Sequence, residues 1–271
     1  MRSLTMLAGA PRQPITVPPT VARLAHGDPA RAVWENQVGG YTFEVGKDAG
    51  RRFVKWCPSA SGIDLRNEAP RLMWAERYTP VPKVMDFGGD ETETWLVTLP
   101  LRGDTAVSER WKQEPRRAVA AIGVGLRALH DALPVEDCPF TWSIEHRSAT
   151  AASRAASNQL DPASWSEEHC RLTVKGGLDA LRQPPPIDQL VVCHGDACAP
   201  NTLILDDGQW SGHVDLGSMG VADRWADLAV ATWSTGWNYG PGYEELLLDA
   251  YGVSPDPRRT AFYRLLWDLS S

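Results

Sequence analysis

Apolar and polar residues alternate in two short runs near the start of the chain, Tyr41-Thr42-Phe43-Glu44-Val45 and Arg52-Phe53-Val54-Lys55-Trp56. Turn-forming residues, Lys47-Asp48-Ala49-Gly50, lie between them. A period of two belongs to a strand with one covered face, so the pair predicts a β-hairpin. Asn67 is placed to cap a helix running through Arg77, with Leu72, Met73 and Ala75 as apolar residues, and Thr79-Pro80-Val81-Pro82 ends it. Two further strand-like runs follow, Lys83 to Phe87 and Thr94 to Leu99. After Pro100 the period changes. Val119, Ile122, Leu126, Leu129 and Leu133 carry helical spacing over Arg116 to Leu133, and a second helical stretch is expected over much of Ser164 to Leu181. Leu190 to Cys193 reads as a short buried strand, Thr202 to Leu205 and Gly212 to Val214 as two more, and helices dominate from Asp223 onward. Residues 1–30, rich in proline, read as a loose or locally helical lead-in.

This order predicts an α+β fold with a small antiparallel, β-rich N-terminal lobe over residues 1–100 and a larger, mainly helical C-terminal lobe over 101–271. Thr98 to Gly103 would form the hinge. A length of 271 residues is enough for two lobes around a cleft, and 43% hydrophobic with 23% charged residues is the composition of a folded chain. No apolar run approaches the ~20 residues of a membrane span, and Met1 to Thr20 lacks the pattern of a secretion signal, so a cytoplasmic location is expected. Cys57, Cys138, Cys170, Cys193 and Cys198 are scattered, with no Cys-x-x-Cys pair, which fits free thiols in a reducing compartment. A net charge of −7 disfavours nucleic acid as a partner and favours a polycation.

The densest polar cluster is His194-Gly195-Asp196-Ala197-Cys198-Ala199-Pro200-Asn201, directly after one predicted strand, and Val214-Asp215-Leu216-Gly217 follows another. Phosphoryl transfer needs a carboxylate to take the proton of the attacking hydroxyl, oxygen ligands for magnesium, and a cation on the phosphates. Asp196, Asn201 and Asp215 supply the first two, and the five-residue step from Asp196 to Asn201 is that of a kinase-type catalytic loop. Lys55 is the candidate cation, with Glu68 at the start of the next helix to hold it; alone, a strand lysine is as readily a plain surface residue.

On these residues the chain resembles the aminoglycoside phosphotransferases, from about Trp34 to the C-terminus. The segments that carry the resemblance are VVCHGDACAPNTLI (Val191 to Ile204), HVDLGSMGVADRWADLA (His213 to Ala229), LPVEDCPF (Leu133 to Phe140) and VPKV (Val81 to Val84). The resemblance implies a two-lobed, protein-kinase-like fold and ATP or GTP as phosphoryl donor with Mg2+. It also implies that Asp196 is the catalytic base, that Asn201 and Asp215 are metal ligands, and that Lys55 lies on the α and β phosphates, paired with Glu68. Phe53 matches a position that stacks on adenine, though an alternating strand also buries Phe. Adenine would be met by the backbone of the hinge; Pro100 has no N–H, which leaves Leu99 or Leu101. His194 is expected to pack against the loop, and Asp223 and Asp227 to support the loop and helix start.

The acceptor implied is a small polycation, and several carboxylates in one region would select it. Candidates are Asp161, Glu167, Glu168, Glu244, Glu245, Asp268 and the α-carboxylate of Ser271, with Asp161, Glu244, Asp268 and Ser271 taken as the binding set. The chain departs from its relatives where Trp267 precedes Asp268 and where Trp237 occupies a position acidic in some of them. Trp233 and Trp237 suit sugar-face stacking or a less cationic acceptor. Pro70, two residues after Glu68, requires the helix to begin near Asn67. Competing readings are a kinase of the same fold for a macrolide, peptide antibiotic, amino sugar or choline-like compound, a binding module without turnover, and a metal-dependent hydrolase built on His194, Asp196 and Asp215.

Overall fold

The computed structural model describes residues 8–271, so Met1 to Leu7 of the expected lead-in lie outside the described residues. The chain divides into two compact units at Leu101 and Arg102.

The N-terminal unit opens with helix α1 (Pro19–Ala25) and continues into strands β1 (Ala30–Glu35), β2 (Tyr41–Val45) and β3 (Arg52–Pro58). Helix α2 (Glu68–Ala75) follows, then β4 (Val84–Gly89) and β5 (Glu93–Thr98). The five strands form one antiparallel sheet in the order β1-β2-β3-β5-β4. Phe43, Val54 and Val97 face one another in register across β2, β3 and β5, and α1 lays Val21, Leu24 and Ala25 against them. Covering a side chain of this size contributes about 2 kcal/mol, which is what seats the short α1. Because strand residues alternate between faces, Lys55 points away from this core and toward α2. Pro70 falls in the first turn of α2, where its missing N–H leaves no bond unmade. Strand β1 has no legible alternation. It is the sheet edge, almost uniformly half-buried and broken by a register shift between Ala32 and Trp34, so its residues answer to no single buried face.

The C-terminal unit begins with β6 (Asp104–Thr105), α3 (Glu109–Gln113) and the long α4 (Pro115–Ala132), followed by α5 (Ile144–Ala156) and α6 (Val174–Ala180). Strands β7 (Leu190–Cys193), β8 (Thr202–Ile204), β9 (Trp210–His213) and β10 (Gly220–Asp223) come next, then helices α7 (Trp225–Tyr239), α8 (Glu244–Tyr251) and α9 (Pro257–Ser270). β7 pairs with β10, and β6-β8-β9 form a second small sheet. α4 packs on α8, and α9 packs on α7 and α5. The expected helix over Ser164 to Leu181 forms only at α6, starting from the Thr173 cap, while α5 arises in a stretch without a strong apolar period. Two facts explain the exchange. The α5 sequence is alanine-rich and capped by Ser143, so propensity suffices without a periodic stripe. Ser166 and His169 bond instead to Asp268 of α9, a tertiary contact that overrides helix formation in the first half of the expected stretch.

Candidate active site

In the C-terminal unit, the buried strand β7 delivers His194, Gly195 and Asp196 into a tight loop. Gly195 has φ +83°, and a Cβ there would stand 2.1 Å from the Ser218 carbonyl oxygen, so only glycine fits. Asp227, in the first turn of α7, accepts the backbone N–H of His194 at 2.6 Å and of Gly195 at 2.9 Å. It also accepts Nε2–H of His130 at 3.0 Å, and His130 Nδ1 lies 2.9 Å from the Tyr251 hydroxyl. Burial pushes the Asp227 carboxyl upward. The hydrogen bond and field of His130, the field of His194 and the Gly195 N–H outweigh it and hold the group below the usual aspartate value. The His194 ring is spent on structure. Nδ1 accepts the Asp196 N–H at 3.2 Å, so Nε2 carries the proton and donates to the Val214 carbonyl at 2.9 Å. With both ring nitrogens engaged and the ring fully buried, His194 has no nitrogen for proton chemistry.

Asp196 and Asn201 meet directly. Asn201 Nδ2 donates to the Asp196 carbonyl at 2.9 Å and to Asp196 Oδ2 at 3.1 Å, which leaves the amide oxygen as the side chain's remaining electron-pair donor atom. Asp196 Oδ1 is buried and accepts no hydrogen bond among the described residues. The Cys198 thiol beside it is raised well above its usual value by burial and by the Asp196 carboxylate, so it stays neutral. The Val214 N–H bonds to the Asn201 carbonyl at 3.0 Å and Thr202 pairs with His213, so the backbones of Asn201 and Val214 run side by side and Asp215 follows at once. Asp215 has φ +63°, a conformation that an L-residue other than Asn or Asp rarely takes. Ala199 N–H donates to Ser234 Oγ at 2.8 Å, which ties the far side of the loop to α7. Ser234, His130 and Tyr251 carry no sequence signal because they reach the loop only through packing.

In the N-terminal unit, Lys55 Nζ lies 2.7 Å from Glu68 Oε1, with only 17% and 7% of the two side chains exposed. Phe53, two residues earlier on the same face of β3, is partly buried and carries the Arg51 guanidinium 5.0 Å above its ring. The Leu99 N–H is already bonded to the Lys83 carbonyl at 2.9 Å. With Pro100 unable to donate, the next backbone donor in the segment is Leu101.

Each of the four expected acceptor groups has a partner within the protein, while Asp161 and Glu244 also remain exposed. Asp161 Oδ1 caps a turn through the Ala163 N–H at 2.9 Å, and the Ser271 carbonyl oxygen accepts from Arg154. Asp268 Oδ2 accepts from Ser166 N at 3.1 Å, Ser166 Oγ at 2.7 Å and His169 Nδ1 at 2.7 Å. Glu244 pairs with Arg264 at 3.3 Å, as Glu168 does at 2.9 Å. His169 and Arg264 both pack on Trp233, whose ring lies 5.4 Å from that of Trp237.

A profile of the phosphotransferase enzyme family matches residues 34–263. An aminoglycoside 3'-phosphotransferase of Streptomyces fradiae is 41% identical over 220 residues, covering 77% of this chain and 81% of that one. Among solved structures, an aminoglycoside 3'-phosphotransferase of type VIII superposes with a TM-score of 0.76 at 34% identity, covering 90% of this chain and 94% of the other. An aminoglycoside phosphotransferase of Streptomyces rimosus in complex with ADP and streptomycin superposes with a TM-score of 0.71 at 28% identity, over 93% and 97% of the two chains.

Proposed function

The chain belongs to the phosphotransferase enzyme family, and on that premise we propose that it transfers the γ-phosphoryl group of ATP to the 3'-hydroxyl of an aminoglycoside antibiotic and so confers resistance. The observation that carries this reading is the Asp196 carboxylate, with one oxygen held by Asn201 and the other buried without a hydrogen bond. An acceptor hydroxyl brought to the Asp196 carboxylate would be oriented for attack and would pass its proton to Asp196 as the bond to phosphorus forms and the γ-phosphorus–oxygen bond to ADP breaks.

The remaining residues then take definite parts. Lys55, steadied by Glu68, neutralises the donor's α and β phosphates; Phe53 and the Leu101 N–H are assigned to adenine. Asn201, through its amide oxygen, and Asp215 offer the hard oxygen donors that Mg2+ requires, and bound there the ion would offset charge on the phosphates. Gly195, Asp227 and Ser234 hold the loop so that Asp196 need not reorganise during transfer. The hydrolase reading loses its histidine, since both His194 nitrogens are engaged.

The test is incubation of the purified chain with ATP, Mg2+ and neamine, followed by mass spectrometry and phosphorus NMR of the product. A mass gain of one phosphoryl group at the 3'-position is expected. Asp196→Asn should abolish turnover by about 10³-fold or more while ATP binding persists. Full turnover by Asp196→Asn, or no product with any aminoglycoside, rejects the reading.

A further inference from the structure

Arg264 lies inside the C-terminal unit with 9% of its side chain exposed. Its Nη1 meets Glu168 at 2.9 Å, and its Nη2 meets Glu244 at 3.3 Å and the Thr232 hydroxyl at 3.3 Å. The guanidinium plane covers the Trp233 ring at 5.1 Å. His169, on the same tryptophan at 6.0 Å, donates to Asp268. One cation and one imidazole therefore occupy three of the acidic groups in this part of the unit.

The same region exposes Trp237 together with the outer parts of Glu168 and Glu244, whose side chains are 44% and 51% exposed. Trp237 is 43% exposed, a large fraction for a tryptophan, and it is one turn along α7 from Ser234, the residue that holds Ala199 of the catalytic loop. Side chains three apart on a helix stand about 5–6 Å apart, so Trp237 sits beside the anchor of the loop that bears Asp196. A ring face so placed receives the C–H face of a sugar, and the Trp233 ring, buried against Arg264, backs it.

We propose that Arg264 is a specificity-determining residue. It acts as an internal counter-cation that offsets the charge of the half-exposed Glu168 and Glu244 and leaves Trp237 as the sugar platform, so that the chain prefers acceptors with few ammonium groups. The proposal rests on the aminoglycoside reading. An acceptor ammonium that approached the exposed side of Glu168 or Glu244 would meet the Arg264 charge, held by several contacts, at close range.

The experiment is steady-state kinetics on paromamine, neamine and neomycin, which share the 3'-hydroxyl and rise in amino-group count in that order. Wild type is expected to show kcat/KM that is level or falls along the series. Glu168→Gln and Glu244→Gln should change the KM of neomycin by less than about twofold, because Arg264 already offsets their charge and solvent screens the rest. Trp237→Ala should raise KM for all three by about tenfold with kcat within about twofold, the signature of lost uniform binding. Arg264→Met should lower the neomycin KM relative to that of paromamine by about tenfold, and Arg264→Lys should restore the wild-type order. Should Arg264→Met fail to fold, the two glutamine variants decide the matter alone. A kcat/KM that climbs with amino-group count in wild type, or a tenfold rise in neomycin KM on removing either glutamate, overturns the proposal while leaving the aminoglycoside reading intact. Absence of turnover on all three overturns that reading first.

Discussion

The carboxylate of Asp227 accepts the His130 imidazole N–H at 3.0 Å in a core closed to solvent, and the same carboxylate carries the backbone of the loop that presents Asp196. A buried charge with three donors is stable only as a set. Asp227→Asn turns an amide toward the donors and should cost about 3 kcal/mol. For a chain of this size that corresponds to a fall in Tm of about 6–12 °C, measured by calorimetry. An unchanged Tm would show that the three bonds are worth little.

The same group has a pH signature. Its folded pKa is lowered, so its contribution is complete above the unfolded aspartate value of about 3.9 and is lost as pH falls through the folded value. The stability difference between wild type and Asp227→Asn should therefore be constant near neutrality and shrink as pH drops below about 4. Denaturant titrations across that range check it; a difference that grows in acid contradicts the direction of the shift.

Gly195→Ala should be severe. The added methyl would stand 2.1 Å from the Ser218 carbonyl, on backbone that favours glycine, so the loop must move and carry Asp196 with it. Loss of about 3 kcal/mol and of at least about 10²-fold in kcat is expected. Turnover within a few-fold of wild type would mean that the loop tolerates displacement.

Lys55→Met removes the cation but keeps the stem, and leaves Glu68 buried without its counter-charge. The expected result is a rise of about tenfold or more in the KM for ATP and a loss of about 10²-fold in kcat/KM, with the acceptor KM little changed. Glu68→Gln should show the same pattern in weaker form. Equal effects on both substrates would point to unfolding rather than phosphate binding.

Gly123 decides between two opposed effects. Alanine gains about 1 kcal/mol of helix propensity, yet its Cβ would lie 2.5 Å from the Leu247 carbonyl and 2.8 Å from the Ala250 Cβ of α8. Overpacking of that kind costs about 1–3 kcal/mol and must push α4 from α8, so Gly123→Ala should lower Tm. A raised Tm would show that α8 yields freely.

Much of the machinery is legible along the chain because it rests on local covalent order. Alternation over Tyr41 to Val45 and Arg52 to Trp56 marks the hairpin, since a strand turns successive side chains to opposite faces. The step from Asp196 to Asn201 also survives as a spacing, because a short loop brings the two side chains together whatever surrounds it.

Other features have no local trace. His130 and Asp227 are 97 positions apart, and Arg264 and Glu168 are 96 apart, so no window of sequence contains either pair. The expected helix over Ser164 to Leu181 fails for the same reason, as Asp268 claims Ser166 and His169 from the far end of the chain. Acidic residues that read as open to a polycation, Asp268, Glu168 and Glu244, also hold internal partners from distant parts of the chain. Periodicity and spacing are properties of neighbours on the chain. Which charges are left for a ligand depends on how distant segments pack, and only the folded arrangement of α7, α8 and α9 decides it.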